Sequence, residues 1–296
     1  MSARVCGGDA LAALRRRIAA IGADGAPRAW DGPAPRVPLG HRQADHVLGG
    51  GLQTGALHEL RPAEPGDMAA AAGFALALLA RLQDGRAGSG QGRHWLWVRQ
   101  DLAGRETGEP YGPGLAAFGL DPAALVLVAA SDVRDSLRAA EEGLRCRALA
   151  GVLLEPWGEA RALDLAAMRR LSLAAEAAGV TLLLLRSGTH DAREAPGPGG
   201  ALTRWRIAAA PSAPQPAVGG LPGLGPPAFA GTLLLNRQAG RLGDGGRWTL
   251  EWSTDEHVFR ESRFAAASPR PRAVAPVDGP ASPPLPEPGA DVRRTG

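Results

Sequence analysis

Along residues 9–21 the apolar side chains Leu11, Leu14, Ile18 and Ile21 recur at helical spacing, with Arg15, Arg16 and Arg17 between them. That period predicts an amphipathic helix with an apolar stripe that must be covered. Four prolines in residues 25–38 then read as a linker. The stripe is open to two uses, docking on a neighbouring chain or folding back on its own core.

From residue 55 to 185 short apolar runs alternate with helical patterns. Strands are predicted at Ala56–Leu60, His94–Val98, Leu125–Val128, Ala150–Leu154 and Val180–Leu185. Helices are predicted near Ala69–Leu82, Val133–Leu149 and Leu163–Ala178. The alternation implies an α/β fold, a mainly parallel sheet with helices on both faces. Residues 211–227 hold six Pro and four Gly and read as a loop. The runs Ala230–Arg237 and Arg247–Ser253, joined by a turn rich in Gly and Asp, read as a β-hairpin. Eight prolines in residues 265–296, with few large aliphatics, predict a disordered tail. The expected organisation is an amphipathic arm (1–28), an α/β core (29–210), a Pro/Gly loop (211–227), a β-hairpin extension (228–264) and the tail (265–296).

Composition removes several chemistries. All 33 basic residues of the 296 are Arg, so Schiff-base catalysis, a lysine base and a phosphate-loop lysine are excluded. A net charge of +3 does not by itself argue for nucleic acid. Cys6 and Cys146 lack the spacing of a zinc site and fit a reducing compartment. The longest apolar run, Ala69–Ala80, suits a buried helix better than a membrane span. A cytoplasmic protein with no membrane contact is expected.

The segment from Val37 to Leu60 reads VPLGHRQADHVLGGGLQTGALHEL, a Gly-rich turn feeding a strand, and it resembles the entry to the nucleotide site of RecA-type recombinases. In that family the next loop closes on Gly-Lys-Thr, which holds the phosphates and magnesium. Here the loop runs from Arg61 to Met68. Asp67 stands where the lysine belongs and would repel phosphate, Met68 offers the metal no oxygen, and Pro62 and Pro65 remove two backbone donors. A connection in which Gly66 and Asp67 cap the next helix explains these residues better. By the same comparison Asp101 falls where a water-positioning acid sits and Glu155 where a magnesium-linked acid sits, but a carboxylate at a strand end is more often a cap or surface acid. The segments matching the recombinase DNA loops are short or acidic: Arg193 is flanked by Asp191 and Glu194.

A recombinase-type core without its lysine resembles the ImuA family. The match rests on Leu48–Glu59, on Gly66-Asp67 with the Ala-rich run after it, on Tyr111–Asp121, Glu141–Cys146 and Glu155-Pro-Trp157, and on Thr203-Arg-Trp205 and the hairpin tryptophans Trp248 and Trp252. It covers roughly residues 9–260. The resemblance implies a RecA-like fold with a degenerate phosphate loop and a C-terminal hairpin. It also implies a non-enzymatic accessory of SOS-induced mutagenic translesion synthesis in DNA repair. Its partners would be an ImuB-like inactive Y-family polymerase, RecA and an error-prone replicative-type polymerase, with DNA contacted indirectly. No catalytic, cofactor or metal residue is expected on this reading. Two others remain, a SulA-like cell-division inhibitor and a RecA-like ATPase, the latter opposed by the missing lysine. The pairs Trp95/Trp97 and Trp248/Trp252 read as core packing rather than base-stacking platforms. Cys146, in a helical pattern, reads as a buried small side chain.

Overall fold

The computed structural model describes residues 8–22, 35–87, 94–158, 162–187, 200–218, 221–238 and 246–262. In chain order the elements are α1 (Gly8–Gly22), β1 (Arg36–Val37), α2 (Arg42–Val47), β2 (Leu52–Gln53), β3 (Leu57–Pro62), α3 (Met68–Ala87), β4 (His94–Gln100), α4 (Asp101–Thr107), α5 (Gly112–Ala117), β5 (Leu125–Ala130), α6 (Val133–Leu144), β6 (Leu149–Glu155), α7 (Leu165–Ala178), β7 (Thr181–Leu185), β8 (Thr203–Ala209), β9 (Gln215–Val218), β10 (Leu221–Gly223), β11 (Ala228–Asn236), β12 (Arg247–Ser253) and β13 (Val258–Glu261).

One nine-stranded sheet carries the fold, in the order β13-β12-β11-β8-β3-β7-β6-β4-β5. From β8 to β5 neighbouring strands are parallel, and from β11 to β13 they are antiparallel. The parallel half needs helical crossovers, and these cover both faces. Its strands are accordingly apolar without alternation: β6 and β7 are buried at every position.

Helix α3 is apolar nearly all round because it lies inside, packed on one face of the sheet. By length and composition residues 65–85 would suffice to cross a bilayer, but more than half of that stretch is buried in the protein. On this face Phe74 stands 5.6 Å from Trp205, 5.7 Å from Phe229 and 5.1 Å from Phe259 between ring centroids, with Trp248 and Trp252 alongside. Burying one such ring contributes about 1.5–3 kcal/mol. Helices α6 and α7 cover the opposite face. Their starts are set by Asp132 and Asp164, which accept from the Asp135 and Ala167 amides at 2.8 Å, and Gly179 ends α7 in the left-handed region at φ 68°. In the tight turn before β2, Gly51 takes φ 125°, and a Cβ there would run into the Val37 carbonyl.

Several expectations needed correction. The predicted helix from Val133 stops at Leu144, so Cys146 lies in the turn behind it, buried as expected. The Pro/Gly loop contains the antiparallel pair β9 and β10, because proline is tolerated in so short a two-stranded ribbon, which is all edge. The hairpin has a third strand, β13, and β11 joins it to β8 in the main sheet.

The arm folds back. Leu14 is 2% exposed, and Leu11, Ile18 and Ile21 pack on the same cluster as α6 and α7. The Cys146 thiol sits 3.7 Å from the Ile18 carbonyl, and Arg15 pairs with Glu142 on α6 at 3.2 Å. The stripe is covered by its own chain, so it is not left for a neighbour. Cys6, the loop with Asp191, Arg193 and Glu194, and the tail at 265–296 lie outside the described residues.

Candidate functional site

The C-terminal ends of β4 and β6, the start of α3 and the segment through α5 surround an open groove of about 630 Å³, lined among others by Met68, Leu76, Trp97, Tyr111, Phe118 and Trp157. In an open parallel sheet this is where a ligand is expected. Two carboxylates, Glu155 in the groove wall and Asp67 in the turn beside it, are already engaged.

The first is Asp67. It ends a single 3-10 turn, Pro65–Asp67, that leads into α3. Its side chain is buried, and it accepts the Glu64 amide at 3.2 Å and the Ala209 amide at 3.0 Å. The carboxylate thus holds the loop to itself and to the end of β8. The sequence predicts Asp67 as a cap of the next helix; it closes instead the short turn before α3, in a capping box with Glu64, and adds a long-range tie. Met68, 8% exposed, turns into the apolar core.

The second is Glu155, 1% exposed at the end of β6. Its Oε2 accepts from Arg99 Nε at 2.7 Å and from Trp97 Nε1 at 2.9 Å. Arg99 donates onward to the Gly108 carbonyl at 2.7 Å and to Thr107 Oγ1 at 2.6 Å, and its guanidinium lies 5.0 Å from the centre of the Trp97 ring. A carboxylate with its charge paired and one oxygen holding two donors has little left for a metal ion or a water. Asp101 is not beside it. That residue opens α4 and lines a separate cavity of about 290 Å³ with Gln100 and Arg105. Among the described residues no group of His, Cys, Asp and Glu is arranged to hold a metal.

The remaining candidates are structural. Trp95 and Trp97 are buried with centroids 6.2 Å apart, and Trp248 and Trp252 belong to the aromatic core. The Cys146 thiol is pushed up by burial, which makes it a poor nucleophile.

Two polar clusters were not anticipated. Arg99 was visible only as part of the strand end from Val98 to Asp101, since pairing across strands depends on a register that sequence does not state. The other centres on Glu59, 1% exposed, which takes Arg61 at 2.7 Å, Arg204 at 2.7 Å and Arg186 at 3.4 Å. Burial alone would raise its pKa, but the charges and hydrogen bonds of Arg61 and Arg204 outweigh this and hold it below the usual range. The spacing Glu59-x-Arg61 and Arg204-x-Arg206 was the available signal.

The strand order and the engaged carboxylates define a class: an α/β chain with a mainly parallel sheet flanked by helices, in which Glu155 is held by Arg99 and Trp97 and Asp67 by two backbone amides. Protein ImuA of Caulobacter vibrioides, in two strains, is 34% identical over 239 residues, covering 77% of this chain and 89% of the relative. The chain belongs to the ImuA family. No family model matches it. Among solved structures the RadB recombinase aligns at 15% identity and a TM-score of 0.48, covering 76% of this chain and 99% of that one.

Proposed function

We propose that this chain is a non-enzymatic accessory of SOS-induced mutagenic translesion synthesis, acting in the cytoplasm by binding rather than by turnover. Its partners on this reading are an inactive Y-family-like polymerase, RecA and an error-prone replicative-type polymerase. The observation that carries the reading is Glu155 held by Arg99 and Trp97, 2.7 and 2.9 Å away, at the strand end where an ATPase would need that acid free. Asp67, buried and tied to two backbone amides, supports it. Membership in the ImuA family favours this role over a division inhibitor.

The test has two arms. Titration with a fluorescent ATP analogue and magnesium is expected to give no saturable binding, and micromolar binding displaced by unlabelled ATP would overturn the non-enzymatic reading. Co-expression and co-purification with an ImuB-like inactive Y-family polymerase is expected to give a stable complex. Failure to form one would remove the accessory role.

A further inference from the structure

Five strands of the central sheet present one row of side chains at a common level on one face. Arg186 extends β7 beside Arg61, donating its amide to the Leu60 carbonyl at 3.0 Å. Arg61 on β3 is in register with Arg206 on β8, Arg206 with Thr232 on β11, and Thr232 with Arg247 on β12. Strand by strand the row reads Arg, Arg, Arg, Thr, Arg. At about 4.8 Å per strand it spans roughly 19 Å.

Like charges placed opposite one another on adjacent strands are destabilising. The protein neutralises little of this charge. Glu59 lies beneath the row and engages Arg204, Arg61 and Arg186, while Arg206 and Arg247 make no hydrogen bond or ion pair among the described residues. Counting Arg204, five guanidiniums stand against the one carboxylate, Glu59, that engages them among the described residues. The next acid on that face of β12, Glu251, is four residues from Arg247 and is in register with Arg260 instead. Crowding on one carboxylate is also felt by Arg186, whose pKa is lowered, first by burial and then by Arg61 and Arg204 against the pull of Glu59.

From this row we infer that the face is a binding track for the phosphodiester backbone of a single nucleic-acid strand crossing the sheet. Guanidinium is weakly hydrated and its fork matches phosphate oxygens, so a row of them favours a linear polyanion with charge at regular intervals. The depth of the row argues for one strand. The side chains of Arg61 and Arg186 are only 19% and 14% exposed, recessed beyond the reach of a stiff duplex, whereas Arg247 is exposed. On this inference the chain itself would touch the nucleic acid, independently of the accessory role proposed above.

The test uses the full chain and a fluorescent thymidine 20-mer, read by anisotropy across a range of salt concentrations. Binding is expected to weaken steeply with salt. Arg206→Ala and Arg247→Ala should each lower the slope of log K against log salt by about 0.7, the amount set by one single-strand phosphate contact. Arg138→Ala, on the outer, exposed side of α6, should leave it unchanged. Because Arg247 is exposed, its variant keeps the test open even if Arg206→Ala fails to fold. Absence of binding at low salt, equal loss in Arg138→Ala, or equal competition by polyglutamate would each overturn the proposal, the last by assigning the face to an acidic protein.

Discussion

Arg99 and Glu155 are register partners on the adjacent strands β4 and β6, and their side chains close a 2.7 Å ion pair inside the protein. Both are at most 5% exposed, so neither charge has water to fall back on. Removing one partner strands the other. Arg99→Met or Glu155→Leu alone is expected to cost about 3–5 kcal/mol, while the double variant should recover most of that loss. Urea unfolding of the three variants checks this. Additive losses would show that the pair is not the unit that matters.

Asp67 should behave as a cap. Asp67→Ala is expected to cost about 1–2 kcal/mol, since two amides lose their acceptor. Asp67→Lys should not create ATP binding, because Glu155 stays committed to Arg99 and the loop still lacks the amides of Pro62 and Pro65. Isothermal titration with ATP and magnesium reads the outcome directly.

The arm should contribute to stability. Leu14→Ala is expected to lower unfolding free energy by about 2–5 kcal/mol, given its full burial. Arg15→Ala, whose side chain is 57% exposed in its pair with Glu142, should change it by less than about 1 kcal/mol. Thermal melts of both variants, read beside partner binding, separate the two uses of the stripe. Loss of binding with an unchanged melting temperature would return the arm to docking.

Acid should weaken the fold through His58. This ring is fully buried between Thr203 Oγ1 and the Gln53 carbonyl, each at 2.8 Å, and burial lowers its pKa from 6.5 to about 4. Above pH 6.5 it is neutral folded and unfolded, so stability there does not depend on it. Between 6.5 and 4 the unfolded chain takes up a proton that the folded one refuses, and stability falls by up to roughly 3 kcal/mol at about 1.4 kcal/mol per unit. Glu59, with its pKa held low, adds a further loss only below about pH 4.5. His58→Gln should flatten the upper window in urea melts at about pH 7, 5.5 and 4.7.

The sheet and its main helices were legible because period and punctuation are local properties. The runs 56–60 and 94–98 announced strands, which span 57–62 and 94–100, and helical periodicity marked α6 and α7. Asp67 was readable as a cap, but its tie to Ala209, 142 residues away, was not. The same holds for Arg99 with Glu155 and for the arginine row. Each depends on which strands become neighbours and in what register, and that is decided by packing the whole sheet. The third hairpin strand was missed because Val258–Glu261 has only four residues, too few for alternation to register.

The place of β3 in the sheet also sets a timetable for synthesis. It lies between β7 and β8, whose residues begin at 181 and 203, so at 57–62 it leaves the ribosome with neither neighbour yet made. At roughly 5–20 residues per second it waits on the order of ten seconds with both edges unpaired. During that interval Leu57 and Leu60, each 0% exposed in the finished protein, have no native strand to meet. The nascent chain therefore has a long stretch in which its own later strands cannot yet keep this segment from pairing elsewhere.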